Sequence, residues 1–197
     1  MKRPERIAKP ILFILLALPI AALVYGVFTE ALGANPIERI LHETGEWGLR
    51  LLVATLAVTP LRQWTGWNWL IRIRRLLGLY AFFYVTMHFT TYLWLDQSFD
   101  WPAIIADIID RPYISVGFAA LCVLAPLAIT STDGMVRWLG GRRWRLLHRG
   151  AYIATILACL HFIWLVKADL AEPLIYATLT AVLLLARIPR RRAATVS

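Results

Sequence analysis

The sequence predicts an all-α polytopic membrane bundle of six transmembrane helices with both termini in the cytoplasm, and three observations predict it. The 197-residue chain is 59% hydrophobic and 17% charged, with a positive mean hydropathy, whereas a soluble domain averages about 45–50% apolar and about 25% charged residues. Its apolar residues fall in six blocks, each near the roughly 20 residues that cross about 30 Å of hydrocarbon. Its basic residues fall between those blocks, on alternate sides. Because no stretch remains for a separate soluble region, residues 1–197 read as one domain.

The blocks justify themselves in order. The first, 10–29, follows Lys2 and Arg3 as a signal peptide would, but its apolar run is too long and no A-x-A site follows, so it reads as a retained span. The second, 46–61, follows an acidic stretch and ends at Pro60. The third, 76–95, and the fifth, 149–166, each open beside arginines and each carry a histidine; the fourth is 113–130 and the sixth 171–188. Pro19, Pro60 and Pro126 lie within or at the ends of spans, where a neighbouring helix satisfies the carbonyl that proline frees. Most of the nine tryptophans stand at block ends, which marks them as interfacial anchors. Cys122 and Cys159, without a CxxC or CxxCH pattern, read as small buried apolar residues. The basic tail Arg190–Ser197 reads as disordered.

Charge sets the orientation. Lys2, Arg3, Arg6, Lys9, Arg62, Arg72, Arg74, Arg75, Arg137, Arg142, Arg143, Arg145, Arg149, Arg187 and Arg190–Arg192 share one side, against Arg39, Arg111 and Lys167 on the other. Lys and Arg are retained on the cytoplasmic side of short loops, so the basic set faces in. The opposite face is acidic, with Glu38, Glu43, Asp96, Asp100, Asp107 and Asp110 among its residues. A net charge of +9 is then the footprint of topology and of anionic lipid headgroups, and it calls for no nucleic-acid partner.

Ionisable groups inside a membrane are costly and mark functional sites. His88 lies 13 residues after Arg75, and His161 lies 13 residues after His148. At 1.5 Å per residue both stand about 20 Å above the inner boundary, at one depth on parallel helices. Gly78, Ala81 and Val85 share a face with His88, and Ala151, Ala154 and Ala158 share one with His161, at identical spacing. Two apposed imidazoles flanked by small residues suit a six-coordinate haem iron. The plainer alternative is close helix packing with the histidines hydrogen-bonded across the interface. Zinc would require further ligands at that depth. His42 reads as an exposed residue of the loop before the second span. His148 stands either among lipid phosphates or as a further iron ligand, and Arg74, Arg75 and Arg145 beside it suit a phosphate-bearing cofactor. Arg50 either snorkels or pairs with a haem propionate.

The runs HETGEWGLRLLVATLAVTPLR, RRLLGLYAFFYVTMHFTTYLWLD and WRLLHRGAYIATILACLHFIWLVK, in that order, resemble the MsrQ (YedZ) family, and the resemblance covers about residues 10–188. That family is the haem-binding membrane subunit of the MsrPQ protein-methionine-sulfoxide reductase system, within the ferric-reductase-like group. The resemblance implies haem b, FMN, and a periplasmic molybdopterin subunit as heterodimeric partner that acts on methionine sulfoxide. It matches the family's membrane histidines to His88, His148 and His161. NADPH oxidases carry two histidines on each of two helices, and one of those four is missing here, where Arg74 and Arg75 stand instead.

The expected function is an inner-membrane electron-transfer subunit, not itself the catalytic reductase, that takes electrons from quinone or a separate cytoplasmic flavin reductase. Alternatives are a stand-alone ferric or quinone reductase and, in another class, a proton-coupled transporter using the intramembrane histidines; the spans carry no buried Asp or Glu for the latter. A periplasmic reporter fused after Ser197 is expected to be inactive, and strong activity there would overturn the six-span topology.

Overall fold

The computed structural model describes residues 5–187. Lys2, Arg3 and the tail Arg190–Ser197 lie outside the described residues, as does the last residue of the expected sixth span. Among the described residues the chain is all-helical: α1 Glu5–Phe28, α2 Pro36–Thr65, α3 Leu70–Thr91 with a π-helical continuation Tyr92–Asp96, α4 Trp101–Asp110, α5 Pro112–Ile129, α6 Asp133–Leu139, α7 Gly141–Leu147, α8 Gly150–Leu165 and α9 Ala171–Leu185. Segments Arg6–Phe28, Leu70–Asp96, Pro112–Ile129 and Gly141–Leu165 are long and apolar enough to cross a membrane, and Ala171–Leu185 is apolar but shorter. The chain is a multi-pass membrane protein.

α2 is long but less apolar, and packing explains why. It lies at the centre of the bundle, against α1, α3, α8 and α9, and buries ten residues where α3 buries four and α5 and α8 three each. A helix that faces protein needs no lipid-compatible surface. It also starts ten residues before the expected boundary, because Asn35 caps it by accepting from the Glu38 N–H and Pro36 pre-sets its first turn. His42 therefore lies on a helix, exposed, and not in a loop. At its other end Gly66 adopts φ 73°, a left-handed cap that the lack of a Cβ allows.

Two helix pairs dominate the packing, α2 on α3 and α5 on α8. Gly48 brings α2 onto α3, where an added Cβ would stand 2.8 Å from Val85 Cγ2. Gly150 does the same for α8 and α5, 3.2 Å from Leu127 Cδ1. Tyr84, fully buried, donates to the Leu16 carbonyl at 2.7 Å, and Tyr80 to Phe13 at 2.9 Å, so α1 is held by two phenols beside Pro19.

The expected acidic connection 96–112 contains α4, too short and too two-sided to register as a span. Ile104 is buried while Trp101, Ile105 and Ile109 form an exposed stripe. The arginine-rich loop 131–149 folds as α6 and α7, split at Gly140 with φ 75°. Arg75 reaches Asp133 across it at 2.6 Å and holds that carboxyl below its ordinary pKa. Cys159 is buried, 3.4 Å from Thr180 Oγ1, but Cys122 is exposed on α5 and so corrects the expectation that both are buried. Its sulfur is apolar enough to face lipid. Trp47 and Trp144 depart from the anchoring role, stacking on Tyr84 and His148.

Pro60 has no N–H for the carbonyl four residues back, that of Leu56. Arg187 donates to that carbonyl, bonds the Tyr152 hydroxyl at 2.6 Å, and lies 4.9 Å over its ring. Arg187→Ala should destabilise the protein by about 1–3 kcal/mol, the cost of stranding a buried polar group. Adding Pro60→Ala should recover part of the loss, since an alanine at that position restores the N–H. Thermal unfolding in detergent checks both, and no recovery in the double variant would refute the pairing.

Candidate functional site

His88 lies near the end of α3 and His161 near the end of α8, and the structure brings them together as their depths anticipate. Their ring centres are 6.1 Å apart with planes at 79°. His88 Nδ1 is 2.9 Å from the Leu41 carbonyl of α2, and His161 Nδ1 is 2.7 Å from the Tyr113 carbonyl of α5. A carbonyl only accepts, so each Nδ1 carries the proton and each Nε2 keeps its lone pair.

Glycine makes both contacts feasible. Gly45 and Gly117 each stand one turn beyond the accepting carbonyl, and a Cβ there would lie 3.1 Å from His88 Nδ1 and 2.7 Å from His161 Nδ1. Each imidazole thus rests against bare helix backbone. The sequence reading missed both glycines, although glycine inside a helical block is itself a signal of close approach.

The histidines line a cavity of about 270 Å³. Its walls are apolar, with Leu49, Val85, Leu121, Ala158 and Phe162 among them, and its rim carries Glu38, His42, Glu46, Asp96 and Arg111. A metal–imidazole bond is about 2 Å, and the ring nitrogen lies about 1 Å from the ring centre, so an ion ligated on both sides needs about 6 Å between centres. The observed spacing fits. No cluster of three or more His, Cys, Asp or Glu able to hold a metal exists among the described residues. The pair therefore suits a metal whose other ligands come with it, as in a macrocycle, and not a zinc ion bound by protein alone.

A second cavity, of about 520 Å³, lies towards the arginine-rich end and brings Arg74, Arg75, Arg145 and His148 together with Arg149, Trp144 and Tyr152. Among the described residues no acidic side chain lines it. Leu52 and Leu124 line both cavities and form the partition between them. His148 sits just before α8, with Nε2 3.1 Å from Thr130 Oγ1. The Thr130 hydroxyl donates to the Pro126 carbonyl at 2.6 Å, so it accepts from Nε2–H and the His148 lone pair is on Nδ1. Trp144 covers the ring at 3.9 Å.

Arg50 lines neither cavity. It bonds Glu46 at 2.5 Å and Tyr176 at 3.0 Å, lies 3.7 Å from Glu172, and so ties α2 to α9. The cation at the outer rim is Arg111, which the sequence reading used only in counting charge.

The family described as ferric reductase like transmembrane component matches residues 44–171. Proteins named protein-methionine-sulfoxide reductase heme-binding subunit MsrQ are similar to this chain over most of both lengths. That of Herminiimonas arsenicoxydans is 52% identical over 91% of this chain and 84% of its own length. That of Rhodospirillum rubrum is 50% identical over 95% and 90%, and that of Xanthomonas campestris pv. campestris is 55% identical over 84% and 76%. The chain belongs to the MsrQ family, within the ferric-reductase-like transmembrane group.

Gly117→Ala should displace His161 more than Gly45→Ala displaces His88, because 2.7 Å is a clash and 3.1 Å is accommodated by a small shift. If the pair ligates iron, the first variant should lose or reshape the low-spin spectrum of the purified protein and the second should change it little. Equal, unperturbed spectra in both would remove the glycines from the site.

Proposed function

We propose that this chain is a haem b electron-transfer subunit of the bacterial inner membrane, with both termini cytoplasmic and six spans, that delivers electrons to a periplasmic molybdopterin-containing reductase of methionine sulfoxide. The observation that carries the reading is the histidine pair: two Nε2 lone pairs oriented by Nδ1–H bonds to opposite helices, across a distance that fits one iron. A haem held there supplies a one-electron relay. The chain's own residues do the rest. Leu41 and Tyr113 fix the tautomers, Gly45 and Gly117 let the rings seat, and the apolar wall keeps water from the site.

The inner cavity supports a second cofactor or donor. Its cationic lining, Arg74, Arg75, Arg145 and Arg149 beside His148, favours an anionic group, and FMN answers to that through its phosphate. His148 offers Nδ1 as a proton acceptor or as a further metal ligand. Electrons then enter from quinone or from a cytoplasmic flavin reductase on the arginine-rich side.

Direction and partner follow from the outer face. The rim of the histidine cavity carries Glu38 and Asp96, and with Glu43, Asp100 and Asp110 of the same acidic face they steer a basic patch of a docking protein. Chemically reduced protein in proteoliposomes should be reoxidised when such a partner and methionine sulfoxide are added together, more slowly as salt rises, since exposed charges are screened over about 8–10 Å at moderate ionic strength. Reoxidation by ferric chelates alone, with none by the partner, would replace this reading with a ferric reductase.

A further inference from the structure

We infer that Arg111 is the carboxylate-binding cation of the histidine cavity and positions its cofactor from the outer rim. The inference rests on the haem reading above.

A macrocycle that carries carboxylates cannot leave them in hydrocarbon; they belong at the mouth. Among the described residues Arg111 is the one Arg or Lys in that cavity's lining, and Glu38 and Asp96 there would repel an anionic edge, Glu46 being already paired with Arg50. Something must offset them.

Arg111 is held for that purpose. It sits in the extended link between α4 and α5, with φ −112° and ψ 96°. Asp107 takes its Nε at 3.1 Å and is itself fixed by the Tyr92 hydroxyl at 3.1 Å. A guanidinium has five N–H donors, so with Nε taken by Asp107 the Nη groups remain for a ligand carboxylate. Two residues on, the Tyr113 carbonyl holds His161, so ligand carboxylate and iron ligand are registered by one short segment. Arg50, read from sequence as either snorkelling or pairing with a propionate, is outside the lining and bonds Glu46 and Tyr176 beside Glu172.

Redox titration of the purified protein tests this without any turnover. A cation beside the cofactor favours the reduced form, so Arg111→Ala should lower the midpoint potential and weaken haem retention. Arg111→Lys should stay near wild type. Asp107→Asn, which removes a negative charge but leaves Arg111, should move the potential the opposite way, and Arg50→Ala should leave it unchanged. If Arg111 only ties α4 to α5, the Ala and Asn variants should behave alike, and that result overturns the inference. A shift in Arg50→Ala alone assigns the role to Arg50 instead. Wild-type protein with no Soret band would sink the haem reading itself, whereas a wild-type Soret band with an unmoved potential in Arg111→Ala sinks only this step.

Discussion

Everything about the site depends on one constraint: an imidazole inside a membrane must give its Nδ1 proton to something, and here the acceptor is helix backbone. A helical carbonyl already bonded within its own helix still has a second lone pair. A side chain reaches it only where the neighbouring helix surface is bare. Gly45 and Gly117 provide that on α2 and α5. The result is a tautomer fixed twice over and two Nε2 atoms free for a metal, with backbone carbonyls in the place of acids. A carboxylate partner would orient the rings equally well, but it would bring a charge that hydrocarbon penalises.

The same economy recurs at the arginine-rich end. Pro60 opens the carbonyl of Leu56 in the most buried helix, and a cation from the end of α9 closes it while stacking on Tyr152. That draws α2, α8 and α9 together at the arginine-rich end, as Arg50 draws α2 to α9 at the other. Polar contacts at both ends of α2 therefore clamp a helix whose middle is aliphatic.

Much of this was legible in sequence, and what was not had a physical cause. Long apolar blocks marked the principal spans, because hydrocarbon imposes a length. Equal spacing from a basic boundary put His88 and His161 at one depth, because helix rise is constant. Gly45 and Gly117 escaped because their role lies in what the neighbouring helix presses against them, which spacing along one helix does not encode. α4 escaped because ten residues with one buried isoleucine and acids interspersed look like a loop by composition. Arg50 stayed open between snorkelling and a propionate contact because depth alone does not give direction; Glu46, one turn before it, was the available signal for an intrahelical pair.

The two cavities share, among the described residues, only Leu52 and Leu124. The inner one is cationic, and the outer one is apolar with an acidic rim. In the proposed function an anionic donor or cofactor is drawn to the first and a cationic docking surface to the second, so that one charge asymmetry would both orient the protein and sort its partners. Neither of these leucines offers a side-chain hydrogen bond. A proton relay would need polar side chains at that junction. An electron, which needs no such chain of polar groups, is what the proposed function sends across it.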